Sequence, residues 1–160
     1  MNNSSDGSWA DKAESPLKVH LGYWLRLISN EVSGTFAQAL QERQISVAEW
    51  VAMNQVATMP EPTPARVATA MGMTRGAVSK ILDKLEAKKL VLRTTSRHDN
   101  RVQLLSLTGP GKRLLPALTA IADRNDKHFF DALDQIEQAR LRVLLCKLAE
   151  SHHLSHTPVD

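Results

Sequence analysis

The sequence predicts a mainly α-helical fold with one small β-hairpin, and three observations support this prediction. Apolar residues recur with the helical period over most of the 160 residues. Two helical patterns between residues 63 and 87 are separated by a turn of about three residues, a spacing typical of a helix-turn-helix. Two β-prone runs follow directly, with a polar turn between them. We therefore predict a winged helix-turn-helix, with long helices before and after it that form a dimerisation region.

The chain begins with a polar stretch and continues into a long helical pattern. Residues 1–16 show no periodicity, and we expect a disordered N-terminal arm. From Leu17 to about Gln44 the apolar residues follow one helix face, and at about 1.5 Å per residue this helix is about 40 Å long. That is more than a winged-helix core needs, so we expect the stripe to pack on other helices or on a second copy. The stripe contains Leu21, Trp24, Leu25, Ile28, Val32, Phe36, Ala39 and Leu40.

A capping box opens the second helix. In Ser46-Val47-Ala48-Glu49 the serine and the glutamate have the spacing of reciprocal capping, and the helix is expected to end near Met59. The side chains predicted to face inward are Trp50, Val51, Met53 and Val56 or Ala57. Pro60-Glu61-Pro62 is a stiff connector into the next helix.

The two helices of the predicted helix-turn-helix have clear starts. Thr63 before Pro64 is a usual helix beginning, and this first pattern stops at Gly72. Thr74 occupies the N-cap position of the second helix, which we predict to be the reading helix. Its apolar face contains Val78, Ile81, Leu82 and Leu85, and its opposite face contains Gly76, Ser79, Lys80, Asp83 and Ala87, with Lys84 near the edge.

Charge points to a polyanion at this helix. The net charge of the chain is only +3, but residues 74–101 hold eight basic and three acidic side chains. Arg75 at the first helical position is unfavourable for the helix dipole unless an anion binds there. A DNA phosphate is such an anion, and a localised basic field is typical of nucleic-acid sites.

The β-prone runs 91–95 and 101–107 predict the wing, with the polar turn 96–100 at its tip. Arg97 and Arg101 are expected to contact DNA, and Asp99 to brace the tip. A hairpin that only covers the edge of the core is the alternative. The predicted contacts to double-stranded DNA are therefore Thr74, Arg75, Gly76, Ser79, Lys80, Lys84, Arg97 and Arg101.

Two further helices are predicted after the wing. One begins at Thr108-Gly109-Pro110 and continues to about Ala132, and Pro116 predicts a kink or a break in its first turns. A second capping box at 134–137 opens the last helix, where Cys146 is expected in the core. Residues 151–160 are expected to be a flexible tail, and its histidines at 152, 153 and 156 are not read as a metal site.

This order of elements resembles the MarR family of bacterial winged-helix transcriptional regulators over about residues 17–150. The residues that carry the resemblance are Val67-Ala68, Gly72 to Ser79, Leu85-Glu86, Leu90-Val91, Arg93, Asp99-Asn100-Arg101, Leu107-Thr108 and Gly111. The resemblance implies a homodimer held by residues 17–45 and 109–150, with the DNA-binding region at 46–108. It also implies a pseudo-palindromic operator, often repression, and often a small anionic or aromatic effector. Asn100 departs from the family, where many relatives have a second basic residue.

We place a hypothetical effector pocket beside the winged-helix lobe. Trp24, Trp50 and Met53 are bulky groups on helices expected to meet there, and His20 and Arg26 are candidate polar anchors. The alternative is that both tryptophans are ordinary core residues.

Other classes of protein fit less well. No apolar run is long enough to cross a bilayer, the N-terminus does not resemble a signal peptide, and Cys146 is the single cysteine, so we expect a cytoplasmic protein. No nucleophile–base grouping, phosphate loop or metal spacing indicates an enzyme, and no cofactor is expected. The remaining alternative is a winged-helix module that binds an acidic protein partner rather than DNA.

Overall fold

The computed structural model describes residues 16–96, 101–155 and 157–159. A 3-10 turn, Pro16–Val19, precedes α1, Leu21–Gln41. The elements that follow are α2, Val47–Thr58; α3, Pro64–Met71; α4, Arg75–Ala87; β1, Val91–Thr95; β2, Gln103–Leu107; α5, Gly109–Phe130; and α6, Gln135–Ser151. The predicted fold class, mainly helical with a β-hairpin wing, is confirmed. The first helix begins later than predicted, because the residues before it form the 3-10 turn.

One apolar core unites α2, α3, α4 and the hairpin with the end of α1 and the first half of α5. Met53, Val67, Val78 and Leu82 are fully buried in it. The antiparallel hairpin pairs Val91 with Leu107, and a hydrogen bond of 2.8 Å from the Leu105 N–H to the Pro62 carbonyl ties the connector to β2. The lobe that carries α4 is therefore a single packed unit.

The helices begin where the capping residues predict. The Ser46 hydroxyl accepts from the Glu49 N–H, and the Glu49 carboxylate accepts from the Ser46 N–H, so the capping box is complete. Asp134 and Glu137 form the second box. Thr74 caps α4 by accepting from the Ala77 N–H at 3.2 Å. These bonds satisfy N–H groups that have no partner inside the helix.

The long helices depart from prediction at two places. α5 runs as one helix through Pro116, so of the predicted kink or break the break does not occur. Proline removes the hydrogen bond to the Lys112 carbonyl, but Lys112 is exposed, so water can bond that carbonyl. Cys146 is exposed rather than in the core, because none of residues 135–151 is buried within its own chain.

α1 and α6 leave apolar side chains uncovered. α1 packs chiefly on α5, where the Asn125 amide donates to the Val32 carbonyl at 3.1 Å. α6 contacts the rest of the chain mainly at its junction with α5, through the Gln138 amide and the Phe130 and Leu133 carbonyls. The exposed apolar residues of the two helices and the preceding turn include Leu17, Leu21, Leu25, Ile28, Ile136, Val143, Leu144 and Leu148.

Within 151–160, which was predicted to be flexible, Val159 is half-buried against the core. Among the described helices, none is both long enough and apolar enough to span a membrane.

The start of α5 is fixed against the end of α4 by the backbone of Leu90. The Leu90 carbonyl accepts from the Thr108 N–H at 3.0 Å, and the Thr108 hydroxyl donates to the Lys89 carbonyl at 2.6 Å. A Cβ added to Gly111 would lie 2.1 Å from the Leu90 oxygen. Only glycine permits this approach.

We predict that Gly111→Ala lowers the free energy of unfolding by about 2–3 kcal/mol, because the backbone must move to relieve the overlap. Gly109→Ala is the matched control, since its new Cβ would meet only the flexible Arg113 side chain at 3.4 Å, and we expect a change within about 0.5 kcal/mol. Urea unfolding of both variants at one protein concentration measures the difference. Equal stability of the two variants would contradict the close contact at Leu90.

Candidate nucleic-acid interface

The two faces of α4 divide as the apolar period predicts. Val78, Leu82 and Leu85 are buried, whereas the opposite face is open to solvent. The exposed residues include six of the predicted DNA contacts, Thr74, Arg75, Gly76, Ser79, Lys80 and Lys84. These six residues therefore form one continuous surface along the helix.

The turn before α4 sets the angle between the two helices. Gly72 ends α3 in the left-handed conformation, with φ 62° and ψ 26°, and the Met73 N–H donates to the Ala68 carbonyl at 3.0 Å. Ala68 is buried, so α4 approaches α3 closely. At Gly76 a Cβ would meet nothing within 4 Å, so the first turn of α4 is accessible to a large partner.

Arg93 on β1 neutralises the acidic side chains of α4. Its guanidinium donates to the Glu86 carboxylate and, at 2.8 Å, to Asp83 Oδ1, and it lies 3.4 Å from the Ser79 carbonyl. The two carboxylates are therefore paired within the protein, where they repel a polyanion less than free carboxylates do. The sequence placed Arg93 only in the first β-prone run of the wing and among the residues of the family resemblance, and did not predict its partners.

Lys88 is a second basic residue with partners inside the protein. Its Nζ lies 2.7 and 2.8 Å from the two Glu49 carboxylate oxygens and 2.6 Å from the Gln44 carbonyl oxygen. Burial raises the pKa of Glu49, but the hydrogen bonds from Lys88 and Ser46 and the charge of Lys88 outweigh it. The pKa of this carboxyl consequently lies below its ordinary value.

The basic side chains of α4 itself, unlike Arg93 of β1 and Lys88 after α4, have no ion-pair partner among the described residues. Within the part of the chain that the structure describes, no ion pair involves Arg75, Lys80 or Lys84. These three side chains are exposed, so they are the basic groups of α4 that are available to an external anion.

The wing is described only in part. Arg101 is exposed at the turn that leads into β2. Arg97 and Asp99 lie outside the described residues, as does Asn100, so the predicted bracing of the tip by Asp99 stays a prediction.

The five predicted effector residues do not line one cavity. Trp24 donates from Nε1 to the Lys18 carbonyl at 2.8 Å, whereas Trp50 packs edge-on against Phe36 with ring centroids 5.0 Å apart. Trp24 and Phe36 are about 18 Å apart along α1, at about 1.5 Å per residue, so Trp50 of α2, which contacts α1 at Phe36, lies far from Trp24. Met53 is fully buried in the core, and His20 and Arg26 are exposed. The prediction failed because it took residues on meeting helices to be neighbours.

One observation near Trp50 remains relevant to a ligand. Trp50 Nε1 and Asn125 Oδ1 are buried and have no hydrogen-bond partner among the described residues. Asn125 bonds the carbonyl of Val32, and Val32 lies one helical turn before Phe36, the ring against Trp50. The Trp50 ring and the Asn125 amide therefore contact α1 one turn apart, and each has one buried polar atom without a partner among the described residues.

Comparison of the sequence with known proteins finds the MarR family and a similar transcriptional regulatory protein. A family model described as the MarR family matches residues 43–101. A putative transcriptional regulatory protein for the hcr operon of Thauera aromatica is 26% identical over 152 residues, which cover 94% of this chain and 90% of that protein.

Solved structures of similar proteins match more than four fifths of this chain. The structure of the S. aureus MepR–DNA complex is 28% identical, covers 82% of this chain and 98% of its own, and has a TM-score of 0.72. CouR from Rhodococcus jostii RHA1 bound to p-coumaroyl-CoA is 25% identical, covers 83% and 94%, and has a TM-score of 0.70.

We predict that the stabilising effect of Glu49 depends on pH. Because its folded-state pKa is lowered, its contribution is complete above the unfolded value, about 4.3, and is lost as the pH falls through the folded value. Glu49→Gln should lower the free energy of unfolding by about 1–3 kcal/mol at pH 7 and by clearly less at pH 3.5. Denaturant unfolding at both pH values measures this.

The control for this prediction is Glu42→Gln, which changes an exposed glutamate at the end of α1 and should alter stability by less than about 0.5 kcal/mol at pH 7. A cost of Glu49→Gln that stays constant between the two pH values would contradict the ionised pair with Lys88.

Proposed function

Because this chain belongs to the MarR family of winged-helix transcriptional regulators, we propose that it represses transcription as a dimer bound to a pseudo-palindromic operator. Members of the family are regulators of transcription, and the chain is accordingly a regulator rather than an enzyme. In this proposal residues 46–108 bind DNA, residues 17–45 and 109–150 form the dimer, and the protein acts in the cytoplasm, where its operator lies.

One observation carries the proposal. α4 exposes Arg75, Lys80 and Lys84, while its two carboxylates, Asp83 and Glu86, are paired with Arg93. The result is a helix surface with a net positive charge and an accessible N-terminus, which suits a phosphate backbone. MepR, a relative with the same fold, has been solved in a complex with DNA.

In this proposal the residues of the reading helix make two kinds of contact with DNA. Thr74, Arg75 and Lys84 contact phosphates and fix the orientation, and Gly76, Ser79 and Lys80 face base edges in the major groove. Arg97 and Arg101 of the wing add contacts to the flanking backbone. Phosphate contacts contribute affinity for any duplex, whereas the base-edge contacts decide the sequence.

A dimer accounts for the uncovered surfaces of α1 and α6. Most of the stability of a helix in a protein comes from tertiary packing of its apolar face, and none of residues 135–151 of α6 is buried within its own chain. Large exposed apolar surfaces mark interfaces. Two copies related by a two-fold axis would present two reading helices to half-sites about one helical turn apart.

We also propose that a small aromatic or anionic effector weakens operator binding. CouR has been solved with p-coumaroyl-CoA bound, and the unpartnered Trp50 Nε1 and Asn125 Oδ1 offer a donor and an acceptor beside α1. Titration of tryptophan emission with aromatic acids and their thioesters, compared with Trp50→Phe, tests this. A set of compounds that changes neither emission nor operator affinity at millimolar concentration would exclude this site.

A module that binds an acidic protein is the alternative function. The two are separated by salt dependence, because DNA binding weakens steeply as salt rises, through release of condensed counterions. Selection of bound sequences from random duplex DNA tests the leading proposal directly. Failure to enrich any sequence would reject it.

For the enriched operator, we predict that Lys80→Ala weakens binding by about 1–3 kcal/mol, the range of a lost base-edge contact. Its effect on unrelated duplexes should be smaller, and measured Kd values for both give the comparison. Arg43→Ala is the control, because Arg43 lies outside α4, in the turn after α1 that holds the Gln44 carbonyl bonded by Lys88 at the far end of α4, and should leave Kd unchanged. An equal loss on all duplexes would reassign Lys80 to a phosphate.

The dimer prediction is tested by light scattering at micromolar concentration, where the expected mass is twice 17.7 kDa. Leu144→Glu with Leu148→Glu should give monomers, since each change places a charge in the proposed apolar interface. Glu150→Lys, a charge change on an exposed residue of the same helix, is the control. A monomeric wild-type protein would exclude both the dimer and the palindromic operator.

A further inference from the structure

Lys88 ends the reading helix but does not join its DNA-facing surface. It is the C-cap of α4, and its backbone N–H bonds the carbonyls of Lys84 and Glu86. Three acceptor oxygens lie 2.6–2.8 Å from its Nζ, and a lysine ammonium has three N–H donors. No donor remains for a DNA phosphate unless one of these bonds breaks.

The three acceptors belong to two other parts of the fold. The Gln44 carbonyl lies in the turn that ends α1, where Gln44 adopts a left-handed conformation with φ 56°. Glu49 lies in the first turn of α2 and caps it together with Ser46. Lys88 therefore connects the end of α1, the start of α2 and the end of α4 through a single charged group.

The end of α1 shares the apolar core with α4 through Leu40, but the two helices pack chiefly on different neighbours, and Lys88 adds a polar link between them. α1 packs chiefly on α5, whereas α4 packs chiefly on α2 and α3. The Glu49 side chain is only 4% exposed and that of Lys88 is 34% exposed. The carboxylate end of the contact is thus shielded from solvent while the lysine end is partly exposed, so salt weakens the pair less than it weakens a fully exposed one.

We propose that Lys88 is a positioning residue, which fixes the reading helix relative to the end of the long helix α1. This inference rests on the proposed function, in which α1 belongs to the dimer interface and α4 reads the operator. If α1 sets the relation between the two copies, then Lys88 helps to set the distance between the two reading helices. A dimer with this bond discriminates sharply between operators of different half-site spacing.

The DNA test uses the enriched operator and two derivatives, with one base pair inserted or removed between the half-sites. In Lys88→Met the discrimination against altered spacing should fall by about three- to thirtyfold, the range of measured coupling effects, while the salt slope stays that of the wild type. Lys84→Met is the matched control, one helical turn earlier on the same helix. It should reduce the salt slope by about one and leave the spacing preference unchanged.

A second variant distinguishes loss of the positioning contact from a general loss of stability. Lys88→Met alone leaves the Glu49 carboxylate buried without its partner, which is costly. Glu49→Gln combined with Lys88→Met removes both charges and keeps a capping box, since glutamine also serves at that position. This double variant should unfold at nearly the wild-type denaturant midpoint yet show the same loss of spacing discrimination as Lys88→Met.

A measurement without DNA separates the inference from the proposed function. Spin labels at Gln38→Cys on α1 and Ser79→Cys on α4, in a Cys146→Ser background diluted with unlabelled protein, report the distance between the two helices within one chain. The distance distribution should broaden in the double variant and stay narrow in Lys84→Met.

The outcomes are distinct. An unchanged distribution with unchanged spacing discrimination would overturn the role of Lys88, and a salt slope reduced as in Lys84→Met would make it a phosphate contact instead. If the wild type binds no duplex, the proposed function fails, while the distance measurement still decides whether Lys88 fixes α4 to α1.

Discussion

The arrangement of the whole chain depends on the close contact between the Leu90 carbonyl and the start of α5. That oxygen accepts from the Thr108 N–H and leaves no room for a side chain at Gly111. The contact joins the segment that follows α4 to the helix that leads out of the lobe. Because both sides are backbone atoms with few conformational choices, the lobe and the long helix α5 keep one relative orientation. The proposed geometry of a dimer on DNA requires such a rigid connection.

Basic side chains of the segment 74–101 have two different roles. Arg93 and Lys88 lie in the basic segment 74–101, but each bonds acceptors of the protein itself. Arg93 neutralises carboxylates of α4, and Lys88 connects the end of α4 to α1 and α2. Arg75, Lys80 and Lys84 remain exposed. The excess of positive charge therefore serves both the fold and the surface, and a count of basic residues overstates the part that faces a ligand.

Local rules predicted much of this structure. The capping boxes at Ser46 and Asp134, the N-cap at Thr74 and the buried stripe of α4 follow from spacings of three or four residues, which a sequence displays directly. The partners of Lys88 could not be predicted in this way, because Glu49 lies 39 residues away and only the packed fold brings them together. The distance between Trp24 of α1 and Trp50 of α2 could not be predicted for the same reason, since it is set by where along α1 the helix α2 packs. The exposure of Cys146 depends on α6, in which none of residues 135–151 is fully buried within its own chain.

That uncovered helix has a consequence for how the proposed regulator responds to its own abundance. If α6 owes its stability to a second copy, its folding and the association of two chains are one event. At low abundance the population of complete dimers then grows with the square of the chain concentration. Operator occupancy would rise more steeply than for a monomeric regulator, and unassociated chains would present a loosely held apolar helix to cellular proteases. The surface that holds the two copies together would thus make operator occupancy depend on protein concentration almost as a threshold.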